Sequence, residues 1–219
     1  MFRVRDFMTT DPICIDPTEK ITAAIDLMRF NHIHRMPVID QEGKLVGLIT
    51  EGMISANQSA TSLSIYELNY LLAKTNVKTV MKKGPVSIEE DALLEEATEK
   101  LLKHDIGCLP VVNAEGKVTG ILTQNDVFKA FLNMLGWNEA GSRLTLKVKD
   151  ETGALGKLGD IFASQNTSIS TLGVYDNKDG VAKLLIKTRG AAPEALSENL
   201  EANGFEVTES QSFAPEKGE

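Results

Sequence analysis

Cysteine is almost missing from this chain of 219 residues: Cys14 and Cys108 are the only two. Neither lies in a C-x-x-C, so the sequence offers no disulfide framework and no thiolate metal site, and both thiols read as core fillers. Histidine is as scarce, with His32, His34 and His104 the whole supply and no cysteine at ligand spacing from them, which argues against zinc. No segment approaches the roughly 20 uninterrupted apolar residues that span a bilayer. The start, MFRVRDFMTT, has neither an apolar core nor a small-residue cleavage site, so a cytoplasmic protein without membrane contact is expected. There is no run of lysine or arginine, and the formal charge is −8, which speaks against nucleic acid as a partner. Also lacking are a nucleophile beside a base, paired carboxylates in a cleft pattern and a phosphate-transfer loop; catalysis and a cofactor are not expected. What remains is ordinary globular composition, 42% hydrophobic and 25% charged, enough for one large domain or two small ones.

The chain repeats itself. Sliding Pro37 onto Pro110, 73 residues on, aligns Val4 with Val77, Met8 with Met81, Pro12 with Pro85, Ala24 with Ala97, Val38 with Val111, Gly43 with Gly116, Gly47 with Gly120 and Thr50 with Thr123, all identical and without a gap. The first part is therefore two copies of one unit that bury apolar faces on each other. In each copy an i, i+3, i+4, i+7 stripe marks an amphipathic helix: Ile21, Ala24, Ile25 and Met28, then Leu94, Ala97, Thr98 and Leu101. Two short apolar runs follow, Met36 to Ile39 and Leu45 to Ile49, joined by QEGK, where Gly43 supplies the positive φ of a hairpin; NAEGK repeats the turn. Each unit reads β-α-β-β-α. Between the copies, Ser64 and Glu67 have capping-box spacing ahead of Leu68, Leu71 and Leu72, so a linker helix begins there after a polar hinge.

The pattern M-x-x-x-P, amphipathic helix, h-P-V-h-D, G-K-h-x-G and h-h-T resembles the CBS domain, which occurs as tandem pairs with a pseudo-two-fold and binds adenine nucleotides and related ligands. The resemblance covers residues 1 to about 135 and implies that G-h-x-[ST]-x-x-D, complete in the second copy as GILTQND, holds a ribose through Thr123 and Asp126. A carboxylate accepts two hydrogen bonds from a vicinal diol. The first copy reads GLITEGM, with Met53 in place of the acid. The same T-x-x-D spacing is also a helix N-terminus signature. IHRMPVID is similar to the H-R-h-P-V-h-D segment of the gamma subunit of AMP-activated kinase, which implies that His34 and Arg35 reach the nucleotide's phosphates; arginine offers a planar fork and histidine a donor. A solvated strand edge, or a bridge to Asp40, is the alternative. The second copy has Gly107 and Cys108 there, which can do neither. The defects are complementary, and one complete site and one empty one are expected.

After VFKAFLNMLGW the pattern changes at EAGSR. RLTLKVK alternates as a strand, LGKLGDIFASQ is a helix with Leu155, Leu158 and Phe162 inward, STLGVYDNKDGVAKLLIKT is a hairpin over NKDG, PEALSENLEANG is a helix between Pro193 and Gly204, and FEVTES is a last strand. This βαββαβ order is that of a ferredoxin-like split βαβ. VKDETGALGKLGDIFASQNTSI resembles the ACT domain, which implies a small effector, often an amino acid, framed by Asp150, Thr152, Gly153, Ala154 and Leu155, with helix amides meeting an anion. A plain helix start serving dimerisation alone is the alternative.

An α+β (mixed α/β) chain is thus expected: a first CBS repeat over 1–62, a linker helix and second repeat over 63–137, an ACT domain over 142–210 and a disordered tail over 211–219. A CBS pair followed by an ACT unit resembles the acetoin-utilisation AcuB-type proteins. That resemblance implies a homodimeric regulatory sensor of an adenine nucleotide such as AMP or ATP and of an amino acid, acting on an unknown regulated protein; a scaffold that only oligomerises is the second reading.

Overall fold

The computed structural model describes residues 2–59, 65–137, 139–189 and 193–213. The chain forms two compact units, Met1–Phe128 and Lys129–Glu219. In the first, β1 (Thr9–Thr10), α1 (Ile21–Phe30), β2 (Arg35–Ile39), β3 (Leu45–Thr50) and α2 (Glu51–Ser59) make one copy. The linker helix α3 (Ile65–Lys74) leads to α4 (Val77–Val80), β4 (Lys82–Lys83), β5 (Ile88–Glu89), α5 (Leu94–Lys103), β6 (Cys108–Val112), β7 (Val118–Thr123) and α6 (Gln124–Met134), within which the division of the chain falls. The expected hinge and the Ser64 cap lie outside the described residues.

The helical stripes bury as their spacing dictates: Ile21, Ala24 and Met28 on α1, Leu94, Ala97 and Leu101 on α5. The hairpin turns sit at Gly43 (φ +80°) and Gly116 (φ +78°), a backbone region that glycine enters without steric cost. The repeats do not merely stack. β1 of the first copy pairs with β7 of the second, and β4 of the second pairs with β3 of the first, giving sheets β1-β7-β6-β5 and β2-β3-β4. Each copy lends its leading strand to the other's sheet. The backbone seals this reciprocally: Val4 N–H donates to the Ala92 carbonyl (3.0 Å) and, 73 residues on, Val77 N–H to that of Glu19 (2.8 Å). The two turns meet as well, Leu45 N–H donating to Gly116 and Val118 N–H to Gly43, both at 3.1 Å.

The glycines that recur in the repeat have a packing reason. A Cβ on Gly47 would collide with the sulfur of Met81, and one on Gly120 with that of Met8. The spacing of methionine and glycine that both copies share therefore describes contacts between copies.

In the second unit, β8 (Gly141–Lys149), α7 (Ala154–Ser164), β9 (Ser168–Lys178), β10 (Val181–Arg189), α8 (Pro193–Ala202) and β11 (Glu206–Phe213) form an antiparallel sheet in the order β11-β8-β10-β9, the βαββαβ arrangement expected. Leu144, Leu146, Leu184 and Ile186 of the central strands meet Leu158, Phe162, Leu196 and Leu200 of the helices in one core. Asp179 and Gly180, both at positive φ, close the β9–β10 hairpin.

Two expectations are corrected here. Leu155 is 54% exposed, because the first turn of α7 borders a groove; Ile161 joins Leu158 and Phe162 in the core instead. The tail does not begin at 211: Gln211, Ser212 and Phe213 continue β11 by pairing with Arg143, Ser142 and Gly141, since β8 still offers ladder partners there. No helix among the described residues is long and apolar enough to cross a membrane.

Candidate functional site

Hairpin register builds the site. Arg35 lies opposite Thr50 in the first copy, and Cys108 opposite Thr123 in the second. Each hairpin thus puts the start of one strand, the end of the next and the N-terminus of a helix at the same end of its sheet. Two cavities open there, one for each copy's helix start.

The first, about 440 Å³, is lined by Thr9, Asp11 and Ile13 near β1, by His34 and Arg35, and by Thr123 and Asn125 at the start of α6. It brings together the basic pair of one copy and the threonine of the other. Asp126 is not among its lining residues. Its Oδ2 accepts from the Thr123 amide (2.8 Å) and from the Thr123 hydroxyl (2.7 Å), while the Asp126 amide donates back to Thr123 Oγ1 (3.3 Å). This is a capping box: two backbone donors at the N-terminus of α6 are satisfied by the two side chains. The helix-start reading of T-x-x-D is the one this geometry displays, and the threonine of the cap also lines the cavity.

Neither basic residue bonds Asp40, whose carboxylate accepts the amides of Glu42 and Lys44 in the hairpin turn. His34 Nδ1 lies 2.7 Å from Glu51 Oε2, an exposed pair of the kind worth at most about 1 kcal/mol and therefore easily redirected. The Arg35 guanidinium crosses to the second copy and donates to the Gly107 carbonyl. An ideal Cβ at Gly107 would stand 2.8 Å from Arg35 Nη1, so the missing side chain leaves room for the arginine.

The second cavity, about 430 Å³, is the pseudo-symmetric counterpart, lined by Thr50, Met53, Lys82, Gly107 and Cys108 and sharing His34 and Arg35 with the first. Thr50 Oγ1 accepts the Met53 amide (3.2 Å), and position 53 carries a thioether where the second copy has the Asp126 carboxylate. Burial pushes the Cys108 thiol up in pKa, against the opposing pull of the Arg35 guanidinium beside it. Cys14, half-buried, is pushed up to about 11 for the same reason. Both stay protonated thiols near neutrality. No cluster of metal-ligating side chains occurs among the described residues.

In the second unit, Asp150, Gly153, Ala154 and Leu155 line a groove of about 350 Å³ with Val174 and Asn177; Thr152 does not line it. Asp150 Oδ2 accepts from Asn177 Nδ2 (2.8 Å), which ties the turn to β9. Gly153 caps α7 in the left-handed region (φ +92°). The Glu151 carboxylate is held below its usual range by Lys157 (3.1 Å) and Lys149 (3.6 Å).

Asp11 was not singled out from sequence. It follows β1 at φ +47°, where the second copy has Gly84 at φ +53°. An aspartate at the repeat position of a glycine was the available signal.

The chain resembles plant and bacterial proteins over about three fifths of its length. It is 33% identical to the chloroplastic CBS domain-containing protein CBSX1 of Arabidopsis thaliana across 61% of this chain and 66% of that one. A crystal structure of CBSX2 in complex with AMP superposes with a TM-score of 0.52 at 31% identity, over 61% of this chain and 98% of that one. A Vibrio cholerae protein designated AcuB gives 0.53 at 32% identity, over 62% and 94%. The alignment with CBSX1 thus spans just under two thirds of that protein. Residues 4–57 and 77–133 match the CBS domain, so together with the interlocked repeats and paired cavities they show that the chain belongs to the CBS-domain family.

Proposed function

We propose that the protein is a cytoplasmic, non-catalytic regulator whose CBS pair binds one adenine nucleotide in the first cavity. The observation that carries this is the meeting of Thr123 from one copy with His34 and Arg35 from the other in a single cavity, while the pseudo-symmetric positions offer Met53, Gly107 and Cys108. Thr123 and the Asp126 carboxylate at the helix start receive the ribose, with Oδ1 the oxygen outside the cap. Arg35 and His34 receive the phosphate, His34 leaving its exposed partner Glu51. AMP in the related CBSX2 supports the choice of ligand class. The nucleotide acts as a regulatory ligand rather than a cofactor.

The second unit is read as an ACT domain that takes an amino acid or similar small anion in the groove of Asp150, Gly153, Ala154 and Leu155, where the amides of α7 and the positive end of its dipole lie. Its sheet edges suit pairing with a second copy, giving an AcuB-like homodimer that passes its state to a regulated protein.

Calorimetry tests the reading. One nucleotide per chain is expected, and Asp126→Ala should cost roughly 1.5 to 3 kcal/mol of binding. A second reading, an oligomerising scaffold, draws on the Thr123–Asp126 capping box, which satisfies those side chains without any ligand. Undiminished binding in Asp126→Ala, or two equivalent nucleotides per chain, would sink the one-site assignment; no binding at all favours the scaffold.

A further inference from the structure

We propose that the first cavity is charge-selective, accepting an adenine nucleoside monophosphate and discriminating against di- and triphosphates, with Asp11 as the residue that sets the limit. This rests on the nucleotide reading above.

Asp11 lines the cavity immediately after β1, and its backbone is left-handed at φ +47°. The internal repeat provides the control. The same turn in the second copy is made by Gly84 at φ +53°, so the turn itself needs no carboxylate. Glycine enters this region freely, whereas aspartate does so less readily. The acid is therefore not required by the turn, and it stands in the cavity where the basic pair meets Thr123. Gly84, its counterpart, does not line the second cavity, which has Lys82 where the first has Thr9.

The charges facing the first cavity are few. Arg35 is its one permanent cation, His34 adds a ring donor, and no lysine is among the described residues that line it. His34 already lies 2.7 Å from Glu51, so that imidazole is shared with a carboxylate. Asp11 subtracts one more charge. One guanidinium and one imidazole offer hydrogen-bond donors for a single phosphate group, and Asp11 offsets part of their attraction for more negative charge. Each further phosphate adds about one negative charge, with no further cation among the described lining residues to meet it and with Asp11 to repel it.

Calorimetry of the full chain with adenosine, AMP, ADP and ATP at low salt and without divalent cations tests this. AMP should bind more tightly than ATP by on the order of tenfold, the gap narrowing as sodium chloride screens the carboxylate. Asp11→Asn removes the charge and keeps a side chain that tolerates left-handed backbone. It should raise ATP affinity toward that of AMP and leave adenosine unchanged. Asp11→Gly reproduces the second copy's turn and serves if the asparagine variant fails to fold. ATP binding as tightly as AMP to the wild type, or an unaltered gap in both variants, would overturn the charge limit and leave the nucleotide reading standing. Absence of binding by all four compounds would overturn both.

Discussion

Arg35 reaches the second copy only because position 107 carries no side chain, and this links two residues far apart in sequence. Gly107→Ala should displace the flexible end of the arginine and leave fold stability nearly unchanged. AMP binding should fall by up to about tenfold, a partial loss of a charge-assisted contact, with adenosine little affected; calorimetry with the two ligands separates these. Lys187 is a different kind of residue. It is 3% exposed on β10, and its ammonium donates to the carbonyls of Gly136 and Glu139 (3.1 Å to the latter), which ties the segment after α6 to this strand. Burial lowers its pKa from 10.5. Between that lowered value and about 10.4 the unfolded chain binds more protons than the folded one, so this lysine makes stability rise with pH through the window and adds its full penalty below it. Urea unfolding across alkaline pH should show that rise in the wild type and its loss in Lys187→Met. That Thr123 of one copy should come together with His34 and Arg35 of the other was legible because the repeat exposes what each copy lacks, whereas Asp126 turns to the helix cap and does not line the cavity. Asp11 and Gly107 as a space for Arg35 were not legible, since one depends on a backbone angle and the other on a side chain arriving from the opposite copy.

At the scale of elements, the sheets are joined where methionine of one copy lies on glycine of the other. Gly120→Ala would press a Cβ against Met8 and within 3.0 Å of the Thr9 carbonyl, backbone that cannot swing aside. Overpacking of this kind costs about 1 to 3 kcal/mol, and β1 carries Thr9 into the first cavity, so urea stability and AMP affinity should fall together. Gly159→Ala is the contrast: in α7, with nothing within 4 Å of the new Cβ, it should stabilise by about 0.4 to 1 kcal/mol. The helices, hairpins and βαββαβ order could be read because their periods of 3.6 and 2 persist for several residues. The exchange of β1 and β4 could not, because a two-residue strand has no period and pairs wherever a ladder has an open edge. Leu155 misled for a related reason: helical spacing gives a face, but not how much of it is covered, and the first turn of α7 borders a groove.

For the whole molecule, the proposed roles of the two units are separable. Removing residues 141–219 should change the oligomeric state, measured by light scattering, while AMP binding by the remaining chain stays measurable; complete loss of affinity would show the units to be interdependent. The reciprocal strands carry a consequence of another kind. A lone copy would have an unpaired leading strand and a sheet edge waiting for it, and a second identical molecule would satisfy both at once. The architecture is that of a homodimer whose two subunits have been fused into one polypeptide. Fusion releases the subunits from having to be identical, so one copy can keep the acid and the other the base, and the proposed outcome, one specialised site with a spare beside it, becomes open to a chain that a symmetric dimer could not match.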